Sequence, residues 1–136
     1  EIAAKPASWL TIRATHTYTD TTAYGQSAAT GSRLLRRPQH AAALEARIVP
    51  IEGLTIAPRL SYAGAFRDFV YDNTGNGTGF GTSQGGTVVH ISATYDAAPG
   101  VQVFGHVLNA FQSRFEPVNG FQTPGAAGIV GIRLRM

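Results

Sequence analysis

The sequence contains no cysteine and few charged residues, and each shortage narrows what the protein can be. Without Cys, disulfide bonds and thiolate metal sites are excluded. Charged residues make up 14% of the chain, against about 25% in a typical soluble domain. No run of about 18 or more apolar residues occurs, which excludes a transmembrane helix. Low charge with an ordinary 43% of hydrophobic residues is typical of a protein that is partly exposed to lipid.

The charges that are present do not indicate nucleic-acid binding or catalysis. The 11 basic and 8 acidic residues give a formal net charge of +3. The Arg residues are spread along the chain rather than gathered on one basic face. The four His residues show no paired metal-ligand spacing, and no Ser–His–carboxylate or paired-carboxylate motif stands out. We therefore predict no enzyme activity, no catalytic residue, no cofactor, no metal site and no nucleic-acid partner.

Apolar and polar residues alternate in six stretches, which predicts six β-strands because successive strand side chains point to opposite faces. In the clearest stretch, residues 54–66, apolar residues such as Leu60 and Tyr62 alternate with small or polar residues such as Arg59 and Ser61. Each stretch is close to the roughly 9–11 residues that a tilted strand needs to cross a bilayer. The predicted strands are residues 10–19, 40–49, 54–66, 88–97, 101–109 and 128–136.

Short and long connections alternate between these strands, and this order predicts the wall of a transmembrane β-barrel. Residues 50–53 and 98–100 are tight turns, whereas residues 20–38, 67–87 and 110–127 are long connections. Transmembrane barrels have short periplasmic turns at one rim and long extracellular loops at the other. Structureless loops of this length are uncommon in compact soluble domains. The sequence therefore predicts an all-β, antiparallel up-and-down meander of about six strands.

The polar face of the predicted strands is expected to look into the barrel lumen. Glu45 and Arg59 fall on this face of one hairpin, where they would form an ion pair if they lie opposite each other. His90 and His106 fall on adjacent strands and also face this side. The predicted lumen-facing charged residues are Arg13, Glu45, Arg47, Arg59, Arg133 and Arg135.

Aromatic residues near the strand ends predict the girdles that flank the lipid-facing band of a membrane barrel. We expect Trp9 and Tyr95 at the periplasmic level, and Tyr18, Tyr62 and Phe66 at the extracellular level. The last residue, Met136, is predicted on the apolar face of the final strand.

A glycine-rich segment, residues 75–81, lies in the second long connection. Its spacing does not match a dinucleotide-binding loop and a strand follows it, so we interpret it as a mobile extracellular loop. The segment from Asp72 to Gly77 slightly resembles the start of a calcium loop, but Ser83 stands where the bidentate Glu would be. A polar turn is therefore the favoured interpretation, with calcium binding as the alternative.

Three motifs resemble elements of TonB-dependent outer-membrane receptors. Residues 108–116, which begin Leu108-Asn109-Ala110-Phe111, are similar to the Asn-Leu-Phe-Asp signature near the C-terminus of that family. Residues 120–125, Gly-Phe-Gln-Thr-Pro-Gly, resemble the Gly-Tyr-x-x-Pro-Gly that follows it. Residues 37–40, Arg-Pro-Gln-His, resemble the upstream Arg-Pro-x-His element, and residues 2–5 resemble the end of the preceding strand. The resemblance covers nearly the whole chain.

The resemblance implies that residues 1–136 are the C-terminal part of a receptor barrel in the bacterial outer membrane. Receptors of this family have about 22 strands around a plugged lumen. The plug, its contact with the TonB system and the earlier strands are therefore expected to be outside this chain. Six strands alone would leave two open sheet edges, which are very costly in lipid, so we expect that the segment neither folds nor transports alone. The first five residues lack the features of a signal peptide, consistent with a mature or partial chain.

By the same resemblance, the intact protein would import a scarce nutrient, such as a ferric siderophore or a cobalamin-like compound. Partners would be outer-membrane lipid, the plug and remaining strands, the TonB system and the small nutrient. The residues predicted to contact the ligand are the aromatic and basic loop positions Tyr24, Arg33, Phe69, Tyr71 and Phe80. Two alternatives remain open: a passive porin or small outer-membrane barrel, and a soluble ligand-binding β-barrel or sandwich.

Overall fold

The computed structural model describes residues 1–24 and 33–135, and the regular elements in these ranges are all β-strands. Within these ranges, no helix combines the length and apolar character needed to span a membrane. The strands are β1 (Ile2–Ala7), β2 (Leu10–Tyr18), β3 (His40–Ile48), β4 (Leu54–Ala63), β5 (Phe66–Tyr71), β6 (Gly77–Ser83), β7 (Gly86–Ala98), β8 (Val101–Leu108) and β9 (Ala127–Leu134).

Seven strands form one antiparallel sheet in the order β1-β2-β3-β4-β7-β8-β9, and β5 pairs with β6 in a separate hairpin. All six predicted strands are present, so the predicted antiparallel meander is confirmed. The strand number exceeds the prediction because β1 extends the sheet and the connection between β4 and β7 contains the hairpin. Residues 75–81, which we predicted as a loop, form the end of the hairpin turn and most of β6. Predicted strand 54–66 ends at Ala63.

The main sheet has an apolar face and a polar face, as the alternation predicts. Across β2, β3 and β4, Ala14, Leu44 and Leu60 lie side by side on the apolar face. Arg13, Glu45 and Arg59 occupy the neighbouring positions on the polar face. The register is therefore the one in which every strand turns its apolar residues to the same side.

The apolar face is not covered by a second layer in the part of the chain that the structure describes. Only Ala23 and Phe66 are buried hydrophobic residues there. On the apolar face, Leu44 is 46% exposed and Val130 is 82% exposed. A soluble sandwich would bury these side chains between two sheets, and this packing is not observed.

Tight turns join the strands at one rim, which we call the inner rim. Gly53 and Gly100 have φ values of 79° and 76° in these turns, a backbone region that favours glycine. A Cβ on Gly100 would lie 2.6 Å from the carbonyl oxygen of Arg135, so a residue with a side chain would clash at this position of the turn. Trp9 and Tyr95 lie at this rim: the Trp9 carbonyl accepts from Val49 N, and Tyr95 is the strand partner of Leu54, the residue after Gly53.

The long connections meet at the opposite, outer rim. We call their described parts the first outer loop (residues 19–24 and 33–39), the second outer loop (64–85, containing the β5–β6 hairpin) and the third outer loop (109–126). Tyr18 and Tyr62 lie on the apolar face at this rim and are 56% and 41% exposed. The prediction that Phe66 joins them was wrong: Phe66 begins β5 and is 7% exposed, because the hairpin turns it inward among the loops.

Strands β1 and β9 are the two edges of an open sheet, since each pairs with a single neighbour. The predicted position of Met136 lies outside the described residues.

Candidate functional site

The carboxylate of Asp68 connects the three outer loops. It is completely buried, with 0% relative exposure. Its Oδ1 accepts hydrogen bonds from Arg36 Nε at 2.7 Å and from its neighbour Phe69 N at 2.8 Å. Its Oδ2 accepts from Asn119 N at 2.8 Å. Because Arg36 belongs to the first outer loop and Asn119 to the third, one side chain of the hairpin holds both.

The electrostatics of this contact favour the ionised carboxylate. Burial raises the pKa of Asp68, but the hydrogen bonds from Asn119 N, Arg36 and Phe69 N outweigh it and leave the pKa below its ordinary value. The hydrogen bond to Asp68 raises the pKa of Arg36. The pair is therefore charged at neutral pH, and its hydrogen bonds are charge-assisted.

The opposite face of the hairpin carries a cluster of exposed aromatic side chains. Phe69 and Phe80 are cross-strand partners with ring centroids 5.1 Å apart, and Tyr71 lies 6.3 Å from Phe69. The three side chains are 37–41% exposed. Arg36 extends from the Asp68 contact to this side, where its Nη2 donates to Tyr71 Oη at 3.2 Å. We call Phe69, Tyr71 and Phe80 the aromatic cluster.

The structure thus brings together three of the five predicted ligand-contact residues, and it places the other two elsewhere. Tyr24 lies in the first outer loop and is 82% exposed. Arg33 donates to Gln39 at 2.8 Å and pairs with Asp20 at 3.4 Å, beside the base of the hairpin. The sequence offers Arg33, Arg36 and Arg37 as a basic group that could meet lipopolysaccharide phosphates or an anionic substrate, and Arg36 is the member that lies beside the aromatic cluster.

Asn109 organises the third outer loop from its first residue. It has a left-handed backbone, with φ of 47°, and is 3% exposed. Its Nδ2 donates to the carbonyls of Ser113 and Pro124 at 2.9 and 2.7 Å, and its Oδ1 accepts from Ser113 N at 2.8 Å. Its backbone N–H donates to His90 Nδ1 at 3.3 Å. Asn tolerates this conformation better than most residues. The hydrogen bond to the Pro124 carbonyl links the Asn-Ala-Phe segment to the Pro-Gly segment.

A second buried contact ties the hairpin to the third outer loop. Ser83, at the end of β6, is 2% exposed and donates through Oγ to the carbonyl of Glu116 at 3.0 Å. Beside it, a cleft of about 440 Å³ lies between the two loops, with Arg114 and Phe115 among its lining residues. The second and third outer loops therefore enclose a cleft that is large enough for part of a small ligand.

The carboxylate of Asp72 holds the turn between β5 and β6. Its Oδ1 accepts from Thr74 N at 2.9 Å, from Thr74 Oγ1 at 2.6 Å and from Asn76 N at 2.9 Å. The hydrogen bond from Thr74 Oγ1 is the largest cause that lowers the pKa of Asp72. This is the arrangement of a polar turn, the interpretation that the sequence favoured.

The polar face of the main sheet carries the predicted charged residues in two groups. Glu45 and Arg59 are cross-strand partners and form an ion pair at 3.2 Å. Arg13 adjoins Glu45 and pairs with Glu1 at 3.5 Å, and Arg47 donates to Thr55 at 3.4 Å. Arg13, Glu45, Arg47 and Arg59 line a hollow of about 510 Å³, which Ser92 also lines.

The second group lies on β8 and β9. Arg133 donates to Gln102 at 2.9 Å, and its guanidinium lies 5.5 Å from the Phe104 ring centroid. Arg135 lines a hollow at the inner rim with Glu52 and Asp96. In the described part of the chain, no hydrogen bond or ring pair joins His106 to His90: His106 lies opposite Ser92, and its ring centroid is 5.7 Å from that of Phe104.

Comparison with known proteins identifies the fold. No family model and no curated protein matches the chain. Fiu, the ferric-catecholate import receptor of K12 E. coli, matches with a TM-score of 0.73 and 13% identity over 97% of this chain and 19% of the receptor. FpvAI in its complex with pyocin S2 matches at 0.72 and 15%, over 97% of this chain and 18% of that one. The outer-membrane ferripyoverdine receptor of Pseudomonas aeruginosa, bound to ferripyoverdine, matches at 0.70 and 16%, with the same coverage.

These solved structures are receptors of the TonB-dependent class, so the fold predicted from the sequence resemblance is confirmed. The chain has the fold of the C-terminal barrel portion of such a receptor and spans about a fifth of its length. The similarity is to transport receptors of the outer membrane and not to enzymes.

Proposed function

We propose that this chain is the C-terminal part of a TonB-dependent outer-membrane receptor that imports a scarce nutrient. Ferric siderophores and cobalamin-like compounds are the nutrient classes that the sequence resemblance implies. The main sheet supplies a section of barrel wall, with its apolar face in lipid and its polar face toward the lumen. The earlier strands and the plug supply the rest of the wall and the contact with the TonB system.

One observation carries the recognition part of this proposal: the aromatic cluster lies on a hairpin that is fixed to the other outer loops. Single exposed hydrophobic residues are normal on a protein surface, but contiguous exposed apolar patches often mark a binding site. Here Asp68 and Ser83 fix the hairpin, so the aromatic cluster can bind a ligand without a large loss of conformational entropy in the loop. Arg36 adds positive charge and hydrogen-bond donors beside the rings, which suits a ligand with aromatic groups and anionic oxygens.

The test is uptake by cells that express the gene at its natural length in a strain lacking other receptors of this type. We expect ferric siderophore or cobalamin uptake that requires both this protein and an energised TonB system. The double variant Phe69→Ala/Phe80→Ala should raise the ligand Kd by about 10- to 100-fold. Tyr95→Ala, an equally exposed aromatic residue at the inner rim, is the matched control and should leave the Kd unchanged.

The same experiment distinguishes the porin alternative. A passive porin would admit small solutes in cells without TonB and would show no saturable high-affinity ligand. That result would contradict the receptor function while leaving the barrel fold intact.

A further inference from the structure

Two histidines meet on the apolar face at the outer rim, outside the contacts that join the three outer loops. His16 lies in β2, and His40 begins β3. His16 Nε2 and His40 Nδ1 are 3.2 Å apart, and the rings stack with centroids 5.4 Å apart. Both side chains are exposed. We propose that this pair binds a divalent transition-metal ion of the imidazole-preferring group, Cu²⁺, Ni²⁺ or Zn²⁺.

The spacing of the two nitrogens fits a shared ion. Imidazole nitrogens bind such ions at about 2.0–2.1 Å, so two of them lie roughly 3.3 Å apart around a tetrahedral ion. The observed 3.2 Å fits a tetrahedral ion almost without movement, and it fits neighbouring positions of a tetragonal Cu²⁺ ion, roughly 2.9 Å apart, after a shift of a few tenths of an ångström. Diagonal side chains on neighbouring strands are ordinarily about 7–8 Å apart at Cα, and only long side chains span that gap. The two rings converge across this gap, which places both nitrogens within reach of one ion.

The backbone that carries the pair is held on both sides. Tyr18 and His40 are the last ladder partners of β2 and β3, and Thr19 N donates to the Gln39 carbonyl at 2.9 Å just beyond them. On the other side, Gly64 N donates to the His40 carbonyl at 2.8 Å. A preformed ligand pair loses little conformational entropy when it binds an ion.

The nearby polar side chains are engaged with other partners, so water would supply the remaining ligands of the ion. Tyr18 Oη accepts from Gln39 Nε2 at 2.9 Å, and its ring lies 5.2 Å from that of His40. Asp20 pairs with Arg33. Two imidazoles with water ligands bind Cu²⁺ most strongly among the common divalent ions, by the general order of stability. Because the pair faces away from the lumen, this site is separate from the proposed nutrient path.

The test is Cu²⁺ binding to the full-length protein in detergent, purified without a His tag, by calorimetry and electron paramagnetic resonance. We expect one Cu²⁺ site in the wild type. In His16→Gln and in His40→Gln its affinity should fall roughly tenfold or more, because each variant removes one of the two imidazole ligands. Gln can still hydrogen-bond to the remaining His, so these variants separate metal binding from a simple contact between the rings. His106→Gln, an exposed His on the polar face, should bind as the wild type does.

In the wild type, the copper spectrum should show two equatorial imidazole nitrogens, and the His16→Gln spectrum should show fewer at this site. Equal affinity and identical spectra in the wild type and the His16→Gln/His40→Gln double variant would overturn the proposal. The pair would then be an ordinary imidazole–imidazole hydrogen bond at the edge of the girdle. Nutrient uptake is not part of this readout, so either proposal can fail alone.

Discussion

Replacing Asp68 with Asn tests whether one buried carboxylate holds the outer loops together. The substitution keeps the shape but removes the charge that Arg36 contacts at 2.7 Å. If the amide oxygen takes the Oδ1 position, the amide NH₂ faces Asn119 N–H, and two donors oppose each other. Reversing the amide instead sets NH₂ against Arg36 and Phe69 N. Either orientation leaves at least one buried donor without an acceptor.

The expected cost follows from these contacts. A hydrogen bond to a charged group contributes about 1.5–3 kcal/mol, and an unsatisfied buried donor costs about 1–3 kcal/mol. The Arg36 side chain is 44% exposed, so water screens part of the loss. We therefore expect the docking of the hairpin to weaken by about 2–3 kcal/mol. That change corresponds to a roughly 30- to 150-fold larger equilibrium constant for opening of the loop contacts.

Amide hydrogen exchange on the full-length protein measures this opening directly. In Asp68→Asn, the amides of Arg36 and Asn119 should exchange faster by that factor, since both are bonded within the loop contacts. Asp72→Asn is the matched control: it alters a carboxylate of the same hairpin that bonds only within its own turn. Unchanged exchange at Asn119 in Asp68→Asn, or an equal effect from Asp72→Asn, would refute the role of Asp68.

Three further predictions follow from the same contacts and faces. In the folded protein the pKa of Asp68 lies below its ordinary value of 3.8. The stabilisation from its charge is therefore complete above about pH 4 and is lost as the pH falls through the folded-state pKa. Amide exchange at Asn119 should accelerate in that acidic range, and an opening equilibrium that does not change with pH would contradict this. Asn109→Gly keeps the left-handed backbone but removes the side-chain hydrogen bonds to Ser113 and Pro124. The free energy needed to open residues 110–126 should therefore fall by about 2–3 kcal/mol, while amide exchange in β3 stays unchanged. Leu44→Arg places a charge on the apolar face and should destabilise the assembled barrel by about 2–4 kcal/mol if the residue lies at mid-membrane depth. The control Ala43→Arg, on the polar face, should assemble normally. Equal amounts of the two variants in membranes would count against the assigned faces.

The sequence predicted the strands of the wall because alternation is a local property. Each face of β2, β3 and β4 is a continuous stripe of residues two apart, and the register that aligns Leu44 with Leu60 also aligns Glu45 with Arg59. The predicted ion pair followed from that register alone. The hairpin was missed because residues 75–81 contain four glycines, which disfavour strands. It forms because docking through Asp68 and Ser83 compensates for that low propensity.

The contacts between the three outer loops could not be predicted from local sequence patterns. Asp68 and its partners Arg36 and Asn119 are 32 and 51 residues apart, with no periodicity to link them. His16 and His40 are separated by 24 residues and the first outer loop, so their approach depends on the pairing of β2 with β3. Asn109 was found only through resemblance to a family motif, and the structure supplies its physical role in closing the third outer loop.

Depth-resolved quenching in lipid vesicles tests the claim on which the membrane assignment depends. The chain contains no cysteine, so single cysteines at residues 43, 44, 45 and 46 of the full-length protein, with any others replaced, can each carry one small fluorophore. Lipids with brominated acyl chains should quench the labels at 44 and 46 strongly and those at 43 and 45 weakly, since alternate side chains face hydrocarbon. Quenching that is weak at all four positions would show that the apolar face does not meet lipid.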